Sequence, residues 1–166
     1  FEPTIVWSND TGDGAGNEYS DLSAWIQGEM IVAVDHEGQV TSYDVQTGKQ
    51  LWQKDLDVPV ISGAGGGNDL ILIGTQEGEI IALDQVSGEF KWKQTLSSEV
   101  LAPPKAALNI VVARTVDGRM SGLSDIDGQV LWNYQRAVPL LSLRGASEPV
   151  IAGDKVIAGY ANGKLV

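Results

Sequence analysis

The sequence predicts an all-β fold, a β-propeller of four-stranded antiparallel blades, with about four blades in the 166 residues. Three observations predict it. Residues 38–52, 78–92 and 118–132 repeat one pattern, opening on Gly38, Gly78 and Gly118 and closing on Trp52, Trp92 and Trp132, so both sets step by 40. Within each copy, short apolar or alternating runs are separated by Asp/Gly turns, which is the pattern of strands. The 20 glycines suit many tight turns. A period near 40 built from short strands is the signature of a propeller blade.

Residues 1–8, which hold Thr-Ile-Val-Trp7, read as an outer strand without a blade of its own. In a ring it would complete the last blade, within one chain or between two, and two self-associated chains would make an eight-bladed ring. The chain as a whole reads as part of a longer, eight-bladed protein. Residues 10–21, rich in Gly, Asp and Asn, read as a long loop.

Blade 1 is expected over 22–56. Its apolar run 31–35 is a strand, and 35–38 a turn in which Gly38 takes positive φ. A second strand spans 39–43. In the turn 44–48 the Asp44 carboxylate accepts backbone N–H groups and Gly48 supplies positive φ. The strand 50–56 carries Trp52. Blade 2 (57–96) repeats this with Asp84, Gly88 and Trp92, and blade 3 (97–136) with Gly128 and Trp132. In blade 3 Ser124 stands where Asp44 and Asp84 stand, so Asp125 or Asp127 takes over the turn. Blade 4 (137–166) is incomplete. The small apolar pieces 59–65, 101–107 and 149–153 are expected as the innermost strands, where blades converge and side chains must be small. Gly65-Gly66-Gly67 is expected as a turn leaving the inner strand, since no Lys-Ser/Thr or helix follows to make a phosphate loop.

The period also exposes a departure. Trp52 to Asp69 and Trp92 to Asn109 are both 17 residues apart, whereas Trp132 to Asp154 and Trp7 to Glu29 are both 22 apart. Five extra residues therefore enter before blade 4, in a stretch containing Leu140, Leu141, Leu143 and Arg144. Extra residues in a repeat protein map to loops, often on the binding face. Apolar side chains beside an arginine are the composition of a contact loop, and these four are the candidate partner-binding residues.

Other residues point to architecture. The tryptophans hold a fixed place in every copy, which assigns them to packing between blades. Asp44, Asp84, Asp117, Asp125 and Asp127 are carboxylates of the type that ligates calcium. They sit a blade apart, so turn chemistry is favoured and no metal site is expected. His36, the single histidine, has no triad or zinc partner in the pattern, and no catalytic set can be assembled. A net charge of −11 argues against nucleic acid and anionic membrane surfaces as partners. With no cysteine there is no disulfide or thiolate metal site.

The Asp-x-x-Thr/Ser-Gly-x-x-x-Trp copies resemble the repeat of pyrroloquinoline-quinone (PQQ) enzymes and their non-enzymatic relatives. Within that superfamily, Trp7-Ser8 with Gly12-x-Gly14-x-Gly16, and above all residues 141–149 (Leu-Ser-Leu-Arg-Gly-Ala-Ser-Glu-Pro), are similar to the BamB family. These are propeller lipoproteins of the outer-membrane β-barrel assembly (BAM) machinery. The resemblance implies a non-catalytic scaffold without cofactor, lipid-anchored on the periplasmic face of the bacterial outer membrane. It would dock on the periplasmic POTRA domains of a BamA-like barrel component and assist insertion of outer-membrane proteins, with unfolded outer-membrane proteins as further partners. Leu141, Leu143 and Arg144 match family positions that hold the barrel component. The alternative is a PQQ-dependent quinoprotein dehydrogenase performing calcium-assisted alcohol oxidation. That class usually shows a vicinal Cys-Cys pair, and this chain has no cysteine.

Overall fold

The computed structural model describes residues 4–16, 22–136, 147–160 and 163–166. They form fourteen strands and no helix. The first blade is β1 (Trp25–Gln27), β2 (Met30–Val34), β3 (Gln39–Asp44) and β4 (Gln50–Asp55), antiparallel and in that spatial order. The second is β5 (Gly65–Gly67), β6 (Leu70–Gly74), β7 (Glu79–Asp84) and β8 (Phe90–Thr95). The third is β9 (Lys105–Ala107), β10 (Ile110–Arg114), β11 (Arg119–Ser124) and β12 (Val130–Gln135). A hairpin of β13 (Val150–Ala152) and β14 (Lys155–Ile157) begins the fourth. The fold is a partial β-propeller.

The core lies between blades. A strand turns alternate side chains to opposite faces, and both faces of β6 are covered. Ile71 and Ile73 pack toward the first blade with Val32, Val34 and Val40. Leu70 and Leu72 pack toward the third with Val111, Ala113 and Leu123. A strand buried on both faces has no polar side to show, so β6 reads Leu-Ile-Leu-Ile-Gly without alternation.

Each pairing of third and fourth strands carries a bulge at one repeat position, between Ser42 and Tyr43, Ala82 and Leu83, and Gly122 and Leu123. The bulged strand skips one residue just before its tryptophan, so Ser42 opposes Trp52 while Tyr43 opposes Gln50. The skipped residues Leu51 and Leu131 stand out to solvent, 48% and 56% exposed.

The innermost strands correct the sequence expectation. The run 59–64 is not a strand; it makes isolated bridges at Val60, to Thr75, and at Ser62. Gly65–Gly67, expected as a turn, is the strand itself. The reason is proximity to the next blade. Gly66 pairs in parallel with Lys105, and a Cβ at Gly65 would overlap the Pro104 carbonyl while one at Gly67 would overlap that of Ala106. The glycines let two backbones meet, joining the second and third blades into one eight-stranded sheet. The other two inner strands fall within their expected ranges 101–107 and 149–153.

Candidate functional site

The turns between the third and fourth strands of each blade are built from repeat residues. The Asp44 carboxylate accepts N–H bonds from Gln46 (3.1 Å) and Thr47 (2.7 Å) and the Thr47 hydroxyl (2.6 Å). Asp84 does the same with Val86 and Ser87. In the third copy Ser124 accepts from Ile126 N–H at 3.3 Å and Asp127 from Gln129 N–H at 3.2 Å. Asp125 instead accepts from Asn68 of the neighbouring blade at 2.9 Å. These bonds hold the Asp44 and Asp84 carboxyls below the usual range, Asp84 down to about 2, chiefly through the Ser87 N–H and then Lys91.

Trp52 and Trp92 each reach the following blade. The Trp52 indole N–H donates to the Gln85 carbonyl at 3.0 Å, and that of Trp92 to the Asp125 carbonyl at 2.9 Å, 33 residues ahead in both cases. The rings lie on the turn glycines. A Cβ on Gly88 would stand 2.6 Å from the Trp52 ring and one on Gly128 2.5 Å from the Trp92 ring. Trp7 makes the same bond to the Val45 carbonyl at 2.8 Å, 38 residues ahead, and its ring lies on Gly48. The five-residue excess of the first connector is therefore visible in the bonding. Trp132 lies on Gly122 of its own blade and packs with the cluster of Val112, Met120 and Tyr160.

The β2–β3 type turns and the connectors from one blade to the next share one end of the molecule. The first long connector, where it is described, straps over the turn after β2: Asp13 N–H donates to the Asp35 carboxylate at 3.0 Å, His36 N–H to the Gly14 carbonyl at 2.9 Å, and the Tyr43 hydroxyl to the Asp10 carbonyl at 2.8 Å. His36, a candidate general base by type alone, is thus a strap contact. Leu140, Leu141, Leu143 and Arg144, in the second long connector, lie outside the described residues.

The residues at the two feet of that second connector are described, and sequence reasoning did not single them out. Arg136 precedes it and Ser147 follows it. Ser147 Oγ accepts from Gly159 N–H at 3.1 Å and donates to the Gly159 carbonyl at 2.9 Å. Arg114, 6% exposed at the end of β10, donates through Nη1 to Ser147 Oγ at 3.1 Å and to the Gly159 carbonyl. Its guanidinium carbon stands 4.2 Å from the centre of the Tyr160 ring, and that of Arg136 stands 5.8 Å from it. Arg114, Ser147, Gly159, Tyr160, Gly163 and Lys164 line a recess of about 440 Å³. Burial pushes the Arg114 guanidinium down and the Tyr160 phenol up. A second recess of about 260 Å³ lies between β9 and β13, where Lys105 and Glu148 pair at 2.9 Å. Among the described residues no three His, Cys, Asp or Glu side chains are grouped to hold a metal ion.

A family profile described as "Outer membrane protein assembly factor BamB" matches residues 4–62 and 36–166. The Pseudomonas aeruginosa protein of that description is 63% identical over 160 residues, 96% of this chain and 42% of the relative. The Kangiella koreensis protein is 50% identical over 99% of this chain and 42% of its own length. The chain thus spans less than half the length of these relatives. Among solved structures, BamB from Moraxella catarrhalis aligns with a TM-score of 0.81 at 28% identity, covering 89% of this chain and 45% of that one. The quinohaemoprotein alcohol dehydrogenase of Comamonas testosteroni aligns with a TM-score of 0.64 at 16% identity, over 79% of this chain and 22% of its own; this shows a shared fold alone.

Proposed function

The chain belongs to the outer membrane protein assembly factor BamB family, and on that premise we propose that it is a non-catalytic docking module of outer-membrane protein assembly. The observation that carries the reading is identity of 63% running over 96% of the chain, hence through the connector that breaks the repeat. In the proposal, Leu140, Leu141, Leu143 and Arg144 contact the periplasmic POTRA domains of the barrel component. The module works on the periplasmic face of the outer membrane, held there by a lipid anchor on the whole protein. Apolar side chains beside an arginine supply burial and a directional charge, the usual makings of a binding hot spot.

The test is capture of the purified periplasmic domains of the barrel component on immobilised chain. Leu141→Ser with Leu143→Ser, and separately Arg144→Ala, are expected to weaken capture by about 2 kcal/mol or more per residue, with an unchanged melting temperature. Undiminished capture by both variants sinks the assignment. Saturable binding of quinone with calcium, accompanied by dye reduction, would support the dehydrogenase reading in its place.

A further inference from the structure

We infer that Arg114, on Ser147 and the Tyr160 ring, and Arg136, on the same ring, clamp together residues 136 and 147, the two feet of the connector 137–146. The inference deepens the docking reading and rests on it for its functional meaning.

Three departures from the repeat converge here. At the position of Arg114 the first two blades carry Val34 and Gly74. At the position of Arg136 they carry Leu56 and Leu96, which pack on the cores between blades. The backbone role is unchanged, since the N–H groups of 56, 96 and 136 all bond to the glycine carbonyl at 38, 78 and 118. Only the side chain differs. At the position of Tyr160 the second and third blades carry Thr75 and Thr115, each forming its own turn. Both arginines face the Tyr160 ring, beside the joint where five residues have been added.

Blade stability does not account for Arg114. A largely buried arginine is costly without a carboxylate. Its partners among the described residues are Ser147, Gly159 and the Tyr160 ring, its Nε has none, and neither has the Tyr160 hydroxyl. The equivalent Ser62 and Gly74 make the same serine–glycine exchange with no arginine near them. What Arg114 adds is a tie from the third blade to Ser147, the far foot. Arg136, the near foot, closes on the same ring.

The first blade gives an independent parallel. It too is entered by a connector with five extra residues, and its residue at the Tyr160 position is Asp35, not threonine. Asp35 is 2% exposed, and its carboxylate accepts the Asp13 N–H of that connector at 3.0 Å. In both blades with a long connector, this one position has become the connector's tether. Pinning the ends of a loop removes freedom that binding would otherwise have to remove.

Amide hydrogen exchange on this chain, read by peptide, tests the clamp without any partner. Arg136→Leu restores the residue of the first two blades and keeps the fold; Tyr160→Phe keeps the ring and drops only the unpartnered hydroxyl. Exchange in 137–146 is expected to rise tenfold or more in Arg136→Leu and Arg114→Val. It is expected to stay at the parent rate in Tyr160→Phe, with β6 and β7 unchanged throughout. Parent-like exchange of 137–146 in Arg136→Leu, or an equal rise in Tyr160→Phe, overturns the clamp. Such a result leaves the docking reading standing. A normal clamp with undiminished capture by the Leu141/Leu143 and Arg144 variants refutes the docking reading alone.

Discussion

Trp92 concentrates the energetics of one seam. Its ring is 95% buried between the second and third blades, and its N–H is satisfied by a carbonyl of the neighbouring turn. Trp92→Ala is expected to cost about 3–5 kcal/mol in a denaturant melt, the range for buried aromatic truncation. Trp92→Phe keeps most of the packing and loses one net hydrogen bond, about 1 kcal/mol. The two values distinguish a packing role from a purely polar one. The repeat made these tryptophans legible as seam residues because their place recurs. It did not tell which backbone they touch, because the bond spans 33 residues and depends on how blades splay. Arg114, Arg136 and Tyr160 were hidden for a related reason. Each is unremarkable alone, and only superposing the blades with the five extra residues allowed for shows all three out of pattern.

At the scale of elements, the turn 84–88 makes acid stability predictable. Backbone N–H bonds and Lys91 hold the Asp84 carboxyl at about 2, below its ordinary 3.8. A carboxyl depressed in the folded state stabilises above its unfolded value and loses that contribution as pH falls through the folded one. The contribution of Asp84 is therefore complete above about pH 4 and lost between about 4 and 2. Asp84→Asn should melt lower at neutral pH and show a flatter decline across that acid window; parallel curves for parent and variant would contradict it. Outer and middle strands were legible because alternation and Asp/Gly turns announce them. The inner strand was not, because three glycines carry no pattern. Their fitness for β5 lies in the approach of Pro104 and Ala106, contacts that belong to another blade.

Across the whole molecule, burial is organised seam by seam: Val32, Ile71 and Ile73 close one interface, Leu72, Val111 and Leu123 the next. Stability should then behave as a sum of nearest-neighbour terms. Trp52→Phe and Trp92→Phe act on different seams, and their double variant is expected to equal the sum of the singles within about 0.5 kcal/mol. A larger coupling in chemical denaturation would mean that the blades melt as one unit. The indole bonds carry a last consequence. Trp7, Trp52 and Trp92 each straddle a different junction with the N–H on a neighbour's carbonyl and the ring on a neighbour's glycine. Opening a junction would hydrate that indole and shift its emission to the red. A set of single-tryptophan variants would thus turn the propeller's own adhesive into fluorescent gauges, each reporting when its junction parts under heat, denaturant or the pull of a partner.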